Sequence, residues 1–141
     1  MNIVLWMIQV LLAAVFFAHG AFMVAPPADM VAMIDAQLTA PFRLFLGVAE
    51  VLAAIGLIAP SVTRILPRLT PVASAGLMLV MGSATLLHLV RSEFSSALTT
   101  LVLLALVTFV TYMRWTIKPI TPRTIRFGRQ ATDHTLAPLR K

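Results

Sequence analysis

Four ionisable side chains stand inside otherwise apolar stretches of this sequence. Arg43 and Glu50 lie seven residues apart in the run RLFLGVAEVLAAIGLIAP, and His19 and His88 lie near the ends of two other apolar runs. A carboxyl group beside an imidazole can hold a proton and pass it on, which is the basis of general acid and base chemistry. That chemistry requires elements that hold these side chains together away from bulk water.

The composition indicates what those elements are embedded in. Of the 141 residues, 60% are hydrophobic and 11% are charged, whereas soluble domains use about 25% charged residues. A single soluble domain of this length could not cover so much apolar surface, so the solvent for most of the chain is lipid. The sequence has no cysteine, which excludes disulfides, thiolate metal sites and CxxC redox chemistry.

Four apolar segments are long enough to cross a bilayer as helices, in which the backbone satisfies its own hydrogen bonds. The predicted spans are residues 3–25, 42–59, 72–90 and 97–113. Prolines stand at or between the span ends, and the segment DMVAMIDAQL between the first two spans predicts a short interfacial helix. We therefore expect an all-α polytopic membrane protein, with a four-helix transmembrane bundle over residues 1–113 and a basic, proline-containing tail over residues 114–141.

The distribution of charge predicts the orientation. The net charge is +6, and the tail alone has seven bases against Asp133. The connection between the second and third spans adds Arg64 and Arg68, whereas the connection after the first span has only acids. Because cytoplasmic segments of membrane proteins are enriched in bases, both termini are expected in the cytoplasm. The tail lacks the elements that read nucleic acid, so its expected partner is the lipid bilayer.

This orientation places all four ionisable side chains in the outward half of the membrane. Gly47 and Ala54 fall on the same helical face as Arg43 and Glu50, and with Gly56 they are predicted to allow close helix packing. Each polar residue also has a plainer interpretation: Arg43 as a snorkelling headgroup contact, the histidines as structural hydrogen-bonding groups, and Glu50 as a polar clamp between helices. The inward half has few polar groups, namely Gln9, Thr108, Thr111 and Tyr112.

Several of these residues occur in an order that resembles the DoxX-like family of small four-span bacterial membrane proteins. The matching features are the GxxE step at Gly47 and Glu50, the end of the second span, the end of the third span and the segment FFAHGAF at residues 16–22. The second span ends with Gly56, Leu57 and Pro60, and the third with Ala84 and His88. The family takes its name from a subunit of a thiosulfate:quinone oxidoreductase, so the resemblance implies an accessory membrane subunit of an oxidoreductase system in the bacterial inner membrane.

Two main functions are compatible with these features. In the first, a quinone binds from the outer leaflet, His19 or His88 hydrogen-bonds its carbonyl, Glu50 exchanges the proton, and a partner subunit supplies the electrons. In the second, the same pocket holds a lipophilic ligand or a partner subunit without chemistry, for assembly or transport. A further alternative is an enzyme that isomerises or hydrolyses a lipid with the His and Glu pair. A haem held by His19 and His88 is another, but the two histidines differ in depth by about 6 Å, which disfavours it. No metal site, no covalent cofactor and no specific catalytic residue are predicted.

Overall fold

The computed structural model describes residues 2–123. The described chain forms five α-helices: α1 (Asn2–Val24), α2 (Ala28–Gln37), α3 (Ala40–Thr63), α4 (Leu69–Val90) and α5 (Phe94–Tyr112). A π-helical turn, Met113–Ile117, extends α5, and residues 2–123 contain no strand. The predicted all-α fold with four membrane-spanning helices is confirmed, because α1, α3, α4 and the extended α5 are each long and apolar enough to cross a bilayer.

The second, third and fourth spans are longer than the hydropathy pattern predicts. The second runs to Thr63 rather than to residue 59, and the fourth spans Phe94–Ile117 rather than 97–113. Pro60 deprives α3 of a single backbone donor near its last turn, and the Arg64 amide still bonds to the Pro60 carbonyl at 3.0 Å. Polar residues at the span ends are likewise accommodated, so helix length exceeds the length of the apolar run.

Consecutive spans are neighbours in the bundle. Helix α1 packs mainly on α3, α3 packs on α4, α4 packs on α5, and a smaller contact between α5 and α1 closes the ring. The core consists of side chains from all four spans: Leu5, Leu12, Phe16, Leu57, Leu77, Val107 and Val110. Large apolar residues such as Leu79 and Val90 point outward with 76% and 84% exposure, which suits a bundle surrounded by acyl chains.

Helix α2 lies between α1 and α3, as the proline pattern indicates, and it has no buried residue. It joins the end of the bundle that also contains the α4–α5 turn. We call this the acidic end, because it contains Asp29, Asp35 and Glu93. The opposite, basic end contains the start of α1, the α3–α4 connection and residues 113–123, with the bases Arg64, Arg68, Arg114, Lys118 and Arg123.

Candidate functional site

The predicted polar face of α3 is buried along its length. Arg43, Gly47, Glu50 and Ala54, spaced four, three and four residues apart, all lie inside the bundle. This is the spacing of one helical face, which α3 turns toward α1. The sequence pattern of the helix therefore directs a carboxyl group into the interior.

The crossing of α1 and α3 next to Glu50 is made by two glycines. A Cβ atom added at Gly47 would lie 2.8 Å from the Gly20 carbonyl oxygen, and one added at Gly20 would lie 2.7 Å from the Gly47 carbonyl oxygen. The two backbones thus approach as closely as only glycine allows, in the manner of small-residue contacts in membranes. This close approach seals Glu50, which is 2% exposed.

His19 is the partner of Glu50. Its Nδ1 atom lies 2.5 Å from Glu50 Oε2, and its side chain is 52% exposed while that of Glu50 is 2% exposed. A carboxylate that accepts a hydrogen bond from Nδ1 fixes the orientation of the ring and its tautomer. The pair therefore joins a sealed acid to an imidazole at the surface of the bundle, and Nε2 of the ring is available to a group outside the chain.

Arg43 lies one step toward the acidic end from this pair. Its Nε donates to Asp35 Oδ1 at 2.7 Å, and its Nη1 donates to the carbonyl oxygen of Met23. With 7% exposure, the side chain is directed inward rather than snorkelling. Arg43 thus fastens α2 and the end of α1 to α3, and its charge is neutralised by α2 rather than by Glu50.

His88, the other histidine expected in the same polar group, belongs to a separate pair. Its Nδ1 lies 2.5 Å from Glu93 Oε2, across the turn between α4 and α5, and the two side chains are 26% and 40% exposed. The structure therefore assigns His19 and His88 to different carboxylates on different helix pairs. Glu50 and His19 come together, and His88 does not join them.

The two other predicted packing residues lie further along α3. Ala54 is 3% exposed in the core, and a Cβ atom at Gly56 would lie 2.7 Å from Ala73 Cβ on α4. Gly56 thus serves the α3–α4 contact and not the α1–α3 crossing. Within residues 2–123, no group of three His, Cys, Asp or Glu side chains is placed to hold a metal ion.

The expectation that the polar groups concentrate in one half of the bundle is wrong, because the end opposite Arg43 and His88 also contains a buried polar network. Gln9 Nε2 donates to the Leu57 carbonyl at 2.5 Å and to Ser61 Oγ at 2.8 Å, and Arg114 Nε donates to Gln9 Oε1 at 2.8 Å. Ser61 in turn bonds to Thr70, 2.9 Å away. This network links α1, α3, α4 and the extension of α5.

Arg114, which the sequence places in the tail, is a buried residue of the bundle with 5% exposure. A span predicted from hydropathy stops at the first charge, whereas the fourth helix continues through it. A signal was present in the sequence: Arg114 follows Val107 by seven residues and Val110 by four, which is the spacing of the buried face. Gln9 shows the same pattern between Leu5 and Leu12.

Comparisons with known proteins agree with this architecture. The sequence profile described as the DoxX-like family matches residues 7–110, which include the second and third spans and most of the first and fourth. Comparisons with curated proteins and with solved structures gave no match. Because the matched region covers most of the chain and contains the Gly20–Gly47 crossing and the His19–Glu50 pair, this multi-pass membrane protein belongs to the DoxX-like family.

Proposed function

We propose that this protein binds a small lipophilic ligand with a carbonyl or hydroxyl group, such as a quinone, through His19, and that Glu50 behind it stores and returns a proton. The observation that carries this proposal is the His19–Glu50 pair: one partner is sealed, and the other is half exposed on a membrane-spanning helix. Ionisable groups within spans are costly and tend to be functional. A ligand dissolved in the bilayer can reach His19 directly from lipid.

The exposed imidazole suits this ligand class. Nε2 can donate a hydrogen bond to a carbonyl oxygen or accept one from a hydroxyl. In the redox form of the proposal, reduction of a quinone takes two electrons and two protons. The pair delivers one proton at a time to the ligand oxygen, and a redox centre in a partner subunit supplies the electrons. The chain would then act as the quinone-linked membrane subunit of an oxidoreductase system.

The experiment compares quinone content in purified full-length protein and in matched variants. Solvent extraction of Glu50→Gln and His19→Asn should recover less quinone than the parent, since each variant removes the proton-carrying or hydrogen-bonding group. His88→Asn changes the exposed pair and should retain the parental amount. Equal recovery from the parent and all three variants, each checked for a monodisperse elution profile, would remove the proposal.

A partner subunit docking at His19 is a second candidate. It is favoured by the burial of Glu50, because the closed Gly20–Gly47 crossing leaves only the imidazole accessible from the membrane. A polar side chain on a partner helix could bond to that imidazole within the bilayer. A photo-crosslinking amino acid at the neighbouring exposed position Ala18 separates the two candidates: a polypeptide-sized adduct in cells favours assembly, and a small-molecule adduct favours ligand binding.

We further propose that both termini face the cytoplasm in a bacterial inner membrane. The support is the separation of charge, since the five bases of the basic end stand opposite the acids of α2 and the α4–α5 turn. Such an excess of bases marks the cytoplasmic side. A fluorescent reporter fused to the carboxyl terminus should be active and an alkaline phosphatase fusion inactive; the reverse result would place the His19–Glu50 pair in the inner leaflet.

A further inference from the structure

Arg114 at the basic end has an incomplete set of partners. Nε donates to Gln9 Oε1, and the guanidinium carbon lies 5.2 Å from the centre of the Trp6 ring, as in a cation–π contact. Nη2 is fully buried and has no hydrogen-bond partner among residues 2–123. Arg114 is therefore a 95% buried cation held by one neutral amide and one aromatic face, since its exposure is 5%.

The described chain supplies no anion to balance this charge. Three of its acids, Glu50, Asp35 and Glu93, already contact His19, Arg43 and His88, respectively. The fourth, Asp29, lies on α2 at the acidic end. A buried charge without a partner is strongly destabilising, so the position favours an anion that comes from outside residues 2–123.

A shallow apolar groove runs along α1 from the same tryptophan. It has a volume of about 690 Å³ and is lined by Ile3, Trp6, Met7, Val10, Leu11 and Ala14. These residues lie on successive turns of one face of a membrane-spanning helix. The groove thus follows the direction that an acyl chain takes in a bilayer, and it begins at the indole that covers Arg114.

The surroundings are positively charged. Arg64, Arg68, Lys118 and Arg123 are exposed at the basic end, and the Arg123 amide donates to the Arg64 carbonyl at 3.1 Å, which brings the two segments together. Basic clusters at the ends of transmembrane helices attract acidic lipid headgroups. An arginine fork matches the oxygens of a phosphate group particularly well.

We propose that the basic end contains a binding site for one acidic phospholipid, with its phosphate on Nη2 of Arg114 and an acyl chain in the α1 groove. Trp6 connects the two parts of this site, because its indole packs on the guanidinium and also lines the groove. The site is independent of His19 and Glu50, which lie toward the other end of the bundle.

Quenching of Trp6 fluorescence tests this site directly. The full-length protein with Trp115→Phe, which leaves Trp6 as the single tryptophan, is reconstituted with phosphatidylglycerol or phosphatidylcholine brominated on the acyl chains. Brominated phosphatidylglycerol should bind next to Trp6 about fivefold more favourably, the ratio given by about 1 kcal/mol for one base beside an acidic lipid. Equal quenching by the two lipids would overturn the proposal without any further variant.

Matched variants separate Arg114 from the general surface charge. Arg114→Gln should remove most of the preference, Arg114→Lys should keep part of it, and Arg68→Gln, which removes one of the surrounding exposed bases, should lower it much less than Arg114→Gln does. A loss of preference in Arg68→Gln as large as that in Arg114→Gln would show surface attraction only and would overturn the site.

Two further experiments test whether the anion at Arg114 is a lipid headgroup, a soluble anion or a carboxylate of this chain. Inorganic phosphate should not displace brominated phosphatidylglycerol from Trp6; displacement would assign the site to a soluble anion instead. Asp133→Asn should not change the preference for phosphatidylglycerol. A marked increase in that variant would identify the tail carboxylate as the native counter-ion, and the lipid proposal would fail.

Discussion

Two histidine–carboxylate pairs in this molecule have the same 2.5 Å contact and very different settings. His88 and Glu93 are five residues apart, on either side of one turn, and both are partly exposed. His19 and Glu50 are 31 residues apart on two spans, and the acid is sealed by a glycine crossing. The contact distance therefore does not determine how much each pair stabilises the fold. Burial and separation in sequence determine that contribution.

The largest expected difference follows from removal of each histidine. His19→Ala leaves Glu50 buried without a partner and should lower the free energy of unfolding by about 3 kcal/mol. His88→Ala leaves Glu93 in contact with solvent or headgroups and should cost less than about 1 kcal/mol. Reversible unfolding in mixed micelles measures both values. Similar losses in the two variants would show that the two pairs stabilise the protein equally, which would contradict the proposed effect of burial.

The glycine crossing provides the next largest effect. Gly47→Ala places a Cβ atom 2.8 Å from a backbone oxygen, which forces α1 and α3 apart and should destabilise the protein by about 2 kcal/mol. Gly82→Ala is the matched control, since an added Cβ at Gly82 meets nothing within 4 Å, and it should be neutral or stabilising by up to about 1 kcal/mol.

The same glycine variant tests whether the crossing positions the buried pair. Imidazole resonances in NMR spectra of labelled protein should shift for His19 and stay constant for His88 in Gly47→Ala. An unshifted His19 resonance would show that the pair forms independently of the crossing.

The smallest expected effect concerns the helix that lies beside the buried pair. Arg43→Lys keeps the charge but loses the fork that binds both Asp35 and Met23. Amide exchange in α2 should accelerate about tenfold, which corresponds to about 1.4 kcal/mol. Arg91→Lys is the control, because Arg91 also contacts α2 but through a single exposed hydrogen bond, from its Nη2 to the Gln37 carbonyl oxygen at 3.2 Å. This variant should change amide exchange in α2 by less than about twofold.

The sequence predicted the elements well because its strongest signal is local. Hydropathy identified four spans, and the spacing of Arg43, Gly47, Glu50 and Ala54 identified one buried face, since side chains separated by whole helical turns must share a face. Depth in the membrane was a weaker guide. His88 was grouped with Glu50 because both lie in the same half of the bilayer, but depth does not specify which neighbour a helix turns toward.

The basic end escaped prediction for a different reason. Hydropathy treats the first charge after an apolar run as the end of a span, so Arg114 was assigned to the tail although its spacing from Val107 and Val110 placed it on the buried face. Its partner Gln9 lies 105 residues away. No local pattern relates two such positions, and only the closure of the ring by α5 and α1 brings them together.

The pairing of α1 with α3 also has a consequence for how the protein is made. Ribosomes deliver the amino-terminal helix first, so His19 is already in the bilayer when Glu50 leaves the translocation machinery. Glu50 can therefore enter the hydrocarbon as part of a helical hairpin in which His19 lies at the same depth. Gly20 and Gly47 allow the two helices of this hairpin to pack together before α4 and α5 are synthesised. If the first two spans insert as one unit, Glu50 is never exposed to the membrane interior without its hydrogen-bond partner.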